Sequence, residues 1–108
     1  MSEYKLYRNV ILEMIDKIEK SIGRVEKKEF INSPELQDAT LMRLQVIGEN
    51  IKNIPLQIKK KYKEVSWKKF EKLRNVISHK YASVDYNLIW NFLENNLNEL
   101  KKGVRNIE

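Results

Sequence analysis

Between residues 4 and 24 the apolar positions Tyr7, Val10, Ile11, Met14, Ile18 and Ile22 recur three or four apart, which is the spacing of one helix face. Gly23 stands where that helix would end or weaken. Ser33-Pro34 is a start signal, with serine as N-cap and proline at the first helical position. The helix that follows carries Leu36, Ala39, Leu44, Ile47, Ile51 and Ile54, and Pro55 ends or bends it. Residues 56–63 read as a short helical turn with Lys59, Lys60 and Lys61 on its surface. Ser66 reads as the cap of a helix from Trp67 to about Ala82, with Trp67, Phe70, Leu73 and Ile77 buried and Val76 and Val84 turned to the core with them. Asp85 reads as the cap of a last helix carrying Leu88, Ile89, Phe92, Leu93, Leu97 and Leu100, with Gly103 just past its end. There is no internal repeat and no low-complexity linker. Four main helices on short connections, plus one short helical turn, predict an all-α antiparallel bundle. The length of 108 residues predicts a single domain over residues 1–108.

Composition agrees with that pattern. Three glycines and two prolines are too few turn residues for many short strands. Apolar content of 42% against 33% charged residues belongs to a folded chain, not a disordered one. With no cysteine, disulfides and thiolate metal sites are excluded, and one histidine leaves a transition metal short of ligands. The sequence therefore predicts no metal and no cofactor. Met1-Ser2-Glu3-Tyr4-Lys5 shows no apolar signal region, and no apolar run reaches the ~18 residues of a membrane span. A cytoplasmic protein without a membrane partner is the expectation.

Charge changes the picture. The net charge is +6, but it is not spread along the chain. Residues 1–51 hold eight Lys/Arg and nine Asp/Glu, residues 52–80 hold ten and two, and residues 81–108 hold three and four. All the excess is in the middle third, where a solvated lysine face or a polyanion site are both open readings. That third ends in Arg74-Asn75-Val76-Ile77-Ser78-His79-Lys80-Tyr81, which contains the only histidine. On a helix Arg74, Ser78 and Tyr81 share one stripe, and Asn75 and His79 form the stripe beside it. A cation, an imidazole, an amide and hydroxyls so gathered suit a phosphodiester. Each member also has a plainer role: Arg74 could pair with Glu71 or Asn75, Tyr81 could be an edge aromatic, and Trp67 and Trp90 read as core anchors. Adjacency to the lysines favours RNA, with Lys59, Lys60, Lys61, Lys68, Lys69 and Lys72 as candidate contacts.

Together these residues resemble a known motif. Arg-x4-His-x-Tyr, here Arg74, His79 and Tyr81, is similar to that of the HEPN superfamily, in particular the HepT family of small toxins. Gln37 through Glu49 resembles the family's second long helix, which closes on a Gly-Glu pair. Trp67 stands where the motif helix often opens on tryptophan, and Val84-Asp85 through Ile89-Trp90 matches the segment that follows. Val65-Ser66 departs from the proline often found before that tryptophan. The resemblance implies a HEPN-like bundle and a metal-independent ribonuclease that acts as a homodimer with motif helices facing. It further implies a toxin of a type VII-like toxin–antitoxin pair, silenced when an MntA-like nucleotidyltransferase adenylylates the motif tyrosine, here Tyr81. A non-catalytic partner subunit for a nucleotidyltransferase, or a basic RNA-binding module, are the alternatives.

Chemistry gives the motif residues distinct duties. Metal-free cleavage uses the RNA 2′-hydroxyl as nucleophile, so a base, an acid and a phosphate-stabilising cation are needed. His79 can serve as base or acid near neutral pH. Arg74 can hold phosphate bidentately, Asn75 can orient His79 or the phosphate, and Tyr81 can donate a hydrogen bond. One histidine cannot be both base and acid in the same step. Either a second His79 comes from a twofold partner or water does one of the jobs slowly, and the residue count thus argues for a homodimer.

Overall fold

A computed structural model describes residues 3–108; Met1 and Ser2, part of the N-terminal reading, lie outside the described residues. Four long helices dominate: α1 (Glu3–Ile22), α3 (Pro34–Asn53), α5 (Trp67–Lys80) and α6 (Tyr86–Arg105). Two short helices, α2 (Lys27–Ile31) and α4 (Leu56–Lys61), and a 3-10 turn at Tyr81–Ser83 lie between them. The all-α bundle read from the sequence is the observed fold. α3 packs between α1 and α5, and α6 closes against α1. Most of the positions that predicted the helices are buried, and Ile15, outside the stripe read for α1, is buried with them. Ile11, Ile15 and Ile18 of α1, Leu44, Ile47 and Ile51 of α3, Phe70 and Ile77 of α5, and Ile89, Leu97 and Leu100 of α6 are almost fully enclosed. Phe70 and Phe92 join α5 to α6 edge to face, with ring centroids 4.7 Å apart. Among the described residues no helix is long and apolar enough to cross a membrane.

Local signals act as their chemistry dictates at two helix starts. The Ser33 hydroxyl accepts from the Leu36 N–H with Pro34 in the first turn, and the Asp85 carboxylate accepts from Asn87 and Leu88. Both tryptophans are core anchors; the Trp67 indole N–H also donates to the Lys59 and Tyr62 carbonyls and so ties down the end of α4.

Elsewhere tertiary context overrides the local reading. Ser66 makes no capping bond; its N–H and Oγ both go to Glu99 of α6, at 3.1 and 3.0 Å. Gly103 is not beyond the last helix but buried inside it, pressed on Val65, and α6 runs on to Arg105. α5 stops at Lys80, two residues before Ala82. Val76 is 42% exposed and Leu88 58%, so neither belongs to the core. α2 has too few residues to show a period, and its Phe30 is fully buried against Tyr86 and Trp90.

Candidate active site

The site grows from the seam between α3 and α5. Gly48 of α3 lies against the Arg74 Cβ and the Phe70 carbonyl, so a side chain there would collide with α5. That close approach brings the next residue, Glu49, within 2.8 Å of Arg74 Nη2. Arg74 Nη1 donates to Asn75 Oδ1 at 3.2 Å, and its Nε is buried with no partner among the described residues. The guanidinium is thus fixed from two sides and keeps an unused donor. Of the two acidic and amide partners weighed for it, Asn75 is used and Glu71 is not. Glu71 pairs instead with Lys59 at 3.2 Å, which places the Lys59 ammonium in a half-buried ion pair apart from the other lysines. Gly48, Lys52, Glu71, Arg74 and Asn75 line a pocket of about 260 Å³.

Helical spacing divides the motif. Arg74 and Ser78 face α3, where Gln45 donates to the Ser78 hydroxyl at 3.1 Å. Asn75 and His79 are exposed and, with Lys68 and Lys72, follow 4-3-4 spacing along one outward ridge of α5. The His79 ring makes no hydrogen bond among the described residues, so it is not held as a structural histidine. Lys60 and Lys61 are exposed on α4, and Lys69 is exposed on the α6 side of α5.

Tyr81 keeps to the α3 side of the motif with Arg74 and Ser78, although α5 ends before it. At Lys80 the backbone turns to φ −132° and ψ 32°, ending the helix. The phenol then reaches α3, where its hydroxyl donates to Asp38 Oδ1 at 2.6 Å while half the residue stays exposed. That hydrogen bond, with partial desolvation and the carboxylate charge behind it, holds the Tyr81 phenol above its ordinary ionisation range. Tyr86, at the start of α6, is also raised, by burial first and by the Asp38 charge second.

Four residues of this neighbourhood escape a motif reading: Asp38, Gln45, Glu49 and Lys52, all on α3. The Gly48-Glu49 pair was the available signal, since a glycine inside a helix marks close packing. The other three are ordinary polar positions until α3 is laid beside α5.

An apolar groove flanks the outward ridge. Val76 and Leu88 are exposed in it, with Leu73 and Phe92 at its floor and Lys69, Lys72, Asn91, Asn95 and Asn96 around it, in a volume of about 390 Å³.

Comparison with known proteins gives this geometry a context. The profile of the ribonuclease HepT-like family matches residues 11–107. A Methanocaldococcus jannaschii protein named for a gamma-glutamylcyclotransferase and, provisionally, an RNase is 36% identical over 105 residues. That match takes in 97% of this chain and 47% of the relative, so the chain spans about half of its length. A Caldanaerobacter subterraneus protein provisionally named an RNase is 30% identical over 94% of this chain and 90% of its own. A Thermococcus cleftensis protein named probable ribonuclease HepT is 30% identical over 91% and 89%. No solved structure matches the chain at a significant level.

Proposed function

The chain belongs to the HepT-like ribonuclease family, and on that footing we propose that it is a metal-independent endoribonuclease, active as a homodimer. The observation that carries this reading is the outward ridge of α5. There a solvent-facing, unbonded His79 stands in line with Asn75, Lys72 and Lys68, and Asn75 is bonded to the fixed Arg74. Arg74 would hold the scissile phosphate and spread the charge that develops on it, with little reorganisation because Glu49 and Asn75 already hold the fork. His79 would take the 2′-hydroxyl proton or protonate the leaving 5′-oxygen. The second of those duties falls to His79 of a twofold-related copy.

The groove at Val76 and Leu88 supports that pairing. It is apolar, exposed and on the flank of the His79 ridge, so a second copy seated there would bring both ridges together around the axis. Lys60, Lys61, Lys68, Lys69 and Lys72 would track the RNA backbone, with Lys59 bracing α4 through Glu71. In the biological setting of the family the chain would be the toxin of a type VII-like pair in the cytoplasm. An MntA-like nucleotidyltransferase would silence it by adenylylating Tyr81, placing an anion beside Arg74 and His79.

The test is cleavage of end-labelled RNA in excess EDTA, with His79→Ala and Arg74→Ala beside the wild type. Cleavage by the wild type, with each variant down ~10²-fold or more, is expected. Equal rates for all three would remove the motif from the chemistry. Because base and acid each need a His79, mixing the two variants should restore no activity, and restoration would show that one His79 per dimer is enough. Cleavage by none, on chain shown by mass to be unmodified, would favour the partner-subunit reading.

A further inference from the structure

Asp38 has no part in the cleavage chemistry above, yet it is bonded to the exposed phenol of the site. Its Oδ1 accepts from the Tyr81 hydroxyl at 2.6 Å, the length of a bond from a hydroxyl to an ionised oxygen. No cation pairs with Asp38 among the described residues, so its charge is not spent on an ion pair. The ionisable groups the structure places near it are two phenols, Tyr81 and Tyr86, and Glu35 one turn back on α3. Among the described residues no cation is bonded to Asp38 or to the Tyr81 hydroxyl.

We propose that Asp38 is the general base for nucleotide transfer to Tyr81, so that the acceptor protein carries a group usually supplied by the transferring enzyme. The inference rests on the reading of Tyr81 as the modified residue. In phosphoryl-transfer enzymes a catalytic aspartate takes the proton from the acceptor hydroxyl. Here the aligned carboxylate is already on α3 of the target. Tyr81 Oη attacks the α-phosphorus of a nucleoside triphosphate, the phenol proton passes to Asp38 Oδ1, the bond to the β-phosphate breaks, and pyrophosphate leaves. Concerted proton loss is required because the neighbouring carboxylate disfavours prior ionisation of the phenol. Once the nucleotide is attached, Oη has no proton to donate and carries a phosphodiester anion. Asp38, after losing its proton to solvent, repels it. The modified side chain is thereby driven off α3 toward the cations of α5, where it would block RNA.

Two experiments separate this step from the reading beneath it. The first uses diisopropyl fluorophosphate, a small phosphorus electrophile that needs no partner, with the labelled tyrosines mapped by mass. Tyr81 should label ahead of the other four tyrosines. Asp38→Asn, which keeps the size and can still accept the phenol bond, should slow Tyr81 by ~10-fold or more, with Tyr62 unchanged. Labelling of Tyr81 should depend more steeply on pH in the variant, where phenolate must form first, than in the wild type. Asp38→Glu should recover part of the rate. The second adds a minimal nucleotidyltransferase of the antitoxin type with magnesium ATP. If wild type takes a nucleotide on Tyr81 and Asp38→Asn keeps pace, the general-base role is wrong and the modification reading stands. If the nucleotide goes elsewhere or nowhere, both fall. Equal labelling of Tyr81 by the electrophile in wild type and Asp38→Asn also overturns the role of Asp38.

Discussion

At the scale of single residues, the contact between Asp38 and Tyr81 shows how a neighbour on another helix sets the state of a motif side chain. The bonded phenol ionises less readily than a free one, so the folded chain binds that proton more tightly than the unfolded chain. The contact therefore contributes its full stabilisation below about pH 10 and loses it as pH rises through the folded value. In Asp38→Asn both Tyr81 and Tyr86 should ionise at lower pH than in the wild type, as followed by the ultraviolet absorbance of tyrosinate. Unchanged titration curves would mean that the carboxylate does not govern either phenol. The motif residues themselves were legible because Arg74, Asn75, His79 and Tyr81 lie within eight positions of one another. Asp38 and Glu49 were not, since an acid on α3 has meaning only through the residue it meets across the seam. The end of α5 was misplaced for a related reason: one residue, Lys80, leaves helical geometry, yet the Tyr81 phenol still meets α3 as Arg74 and Ser78 do.

At the scale of elements, the α3–α5 seam makes the site. A methyl group at Gly48 would meet Arg74 and Phe70, and neither the Phe70 carbonyl nor the Arg74 Cβ is free to move without moving α5. Gly48→Ala should cost ~1–3 kcal/mol by urea unfolding despite the better helix propensity of alanine. It should also lower RNA cleavage in protein that remains folded, because Arg74 shifts from Glu49. A stability gain would show that the seam is looser than described. The ridge of α5 makes a separate prediction. Lys68→Ala and Lys72→Ala should each weaken RNA binding across sequences and reduce the slope of log affinity against log salt by about 1. The four long helices were readable because stretches of fourteen to twenty residues repeat the 3.6-residue period several times. α2 was not, because five residues hold little more than one turn and its two apolar residues, Phe30 and Ile31, are adjacent and show no period.

At the scale of the whole molecule, the question is whether one histidine per chain is enough. The groove at Val76 and Leu88 gives a direct way to ask. Both side chains are exposed in the monomer, so Val76→Glu or Leu88→Glu should alter stability by no more than about 0.5 kcal/mol. Each should nevertheless convert a sedimenting dimer to monomer and remove cleavage with it. A variant that stays dimeric and active would move the twofold axis to another face. The order of the helices also bears on synthesis. α1 meets α3 early in the chain, but its other flank waits for α6, which arrives some eighty residues later. Arg8 and Tyr4 then reach the carbonyls of Ile107 and Glu108. A ribosome-bound chain therefore carries α3 and α5, with Arg74 and His79, before α1 is covered. Such an intermediate exposes an isoleucine-rich flank and is expected to be the form most readily cleared by proteases, so that translational pausing ahead of α6 would limit how much finished protein accumulates.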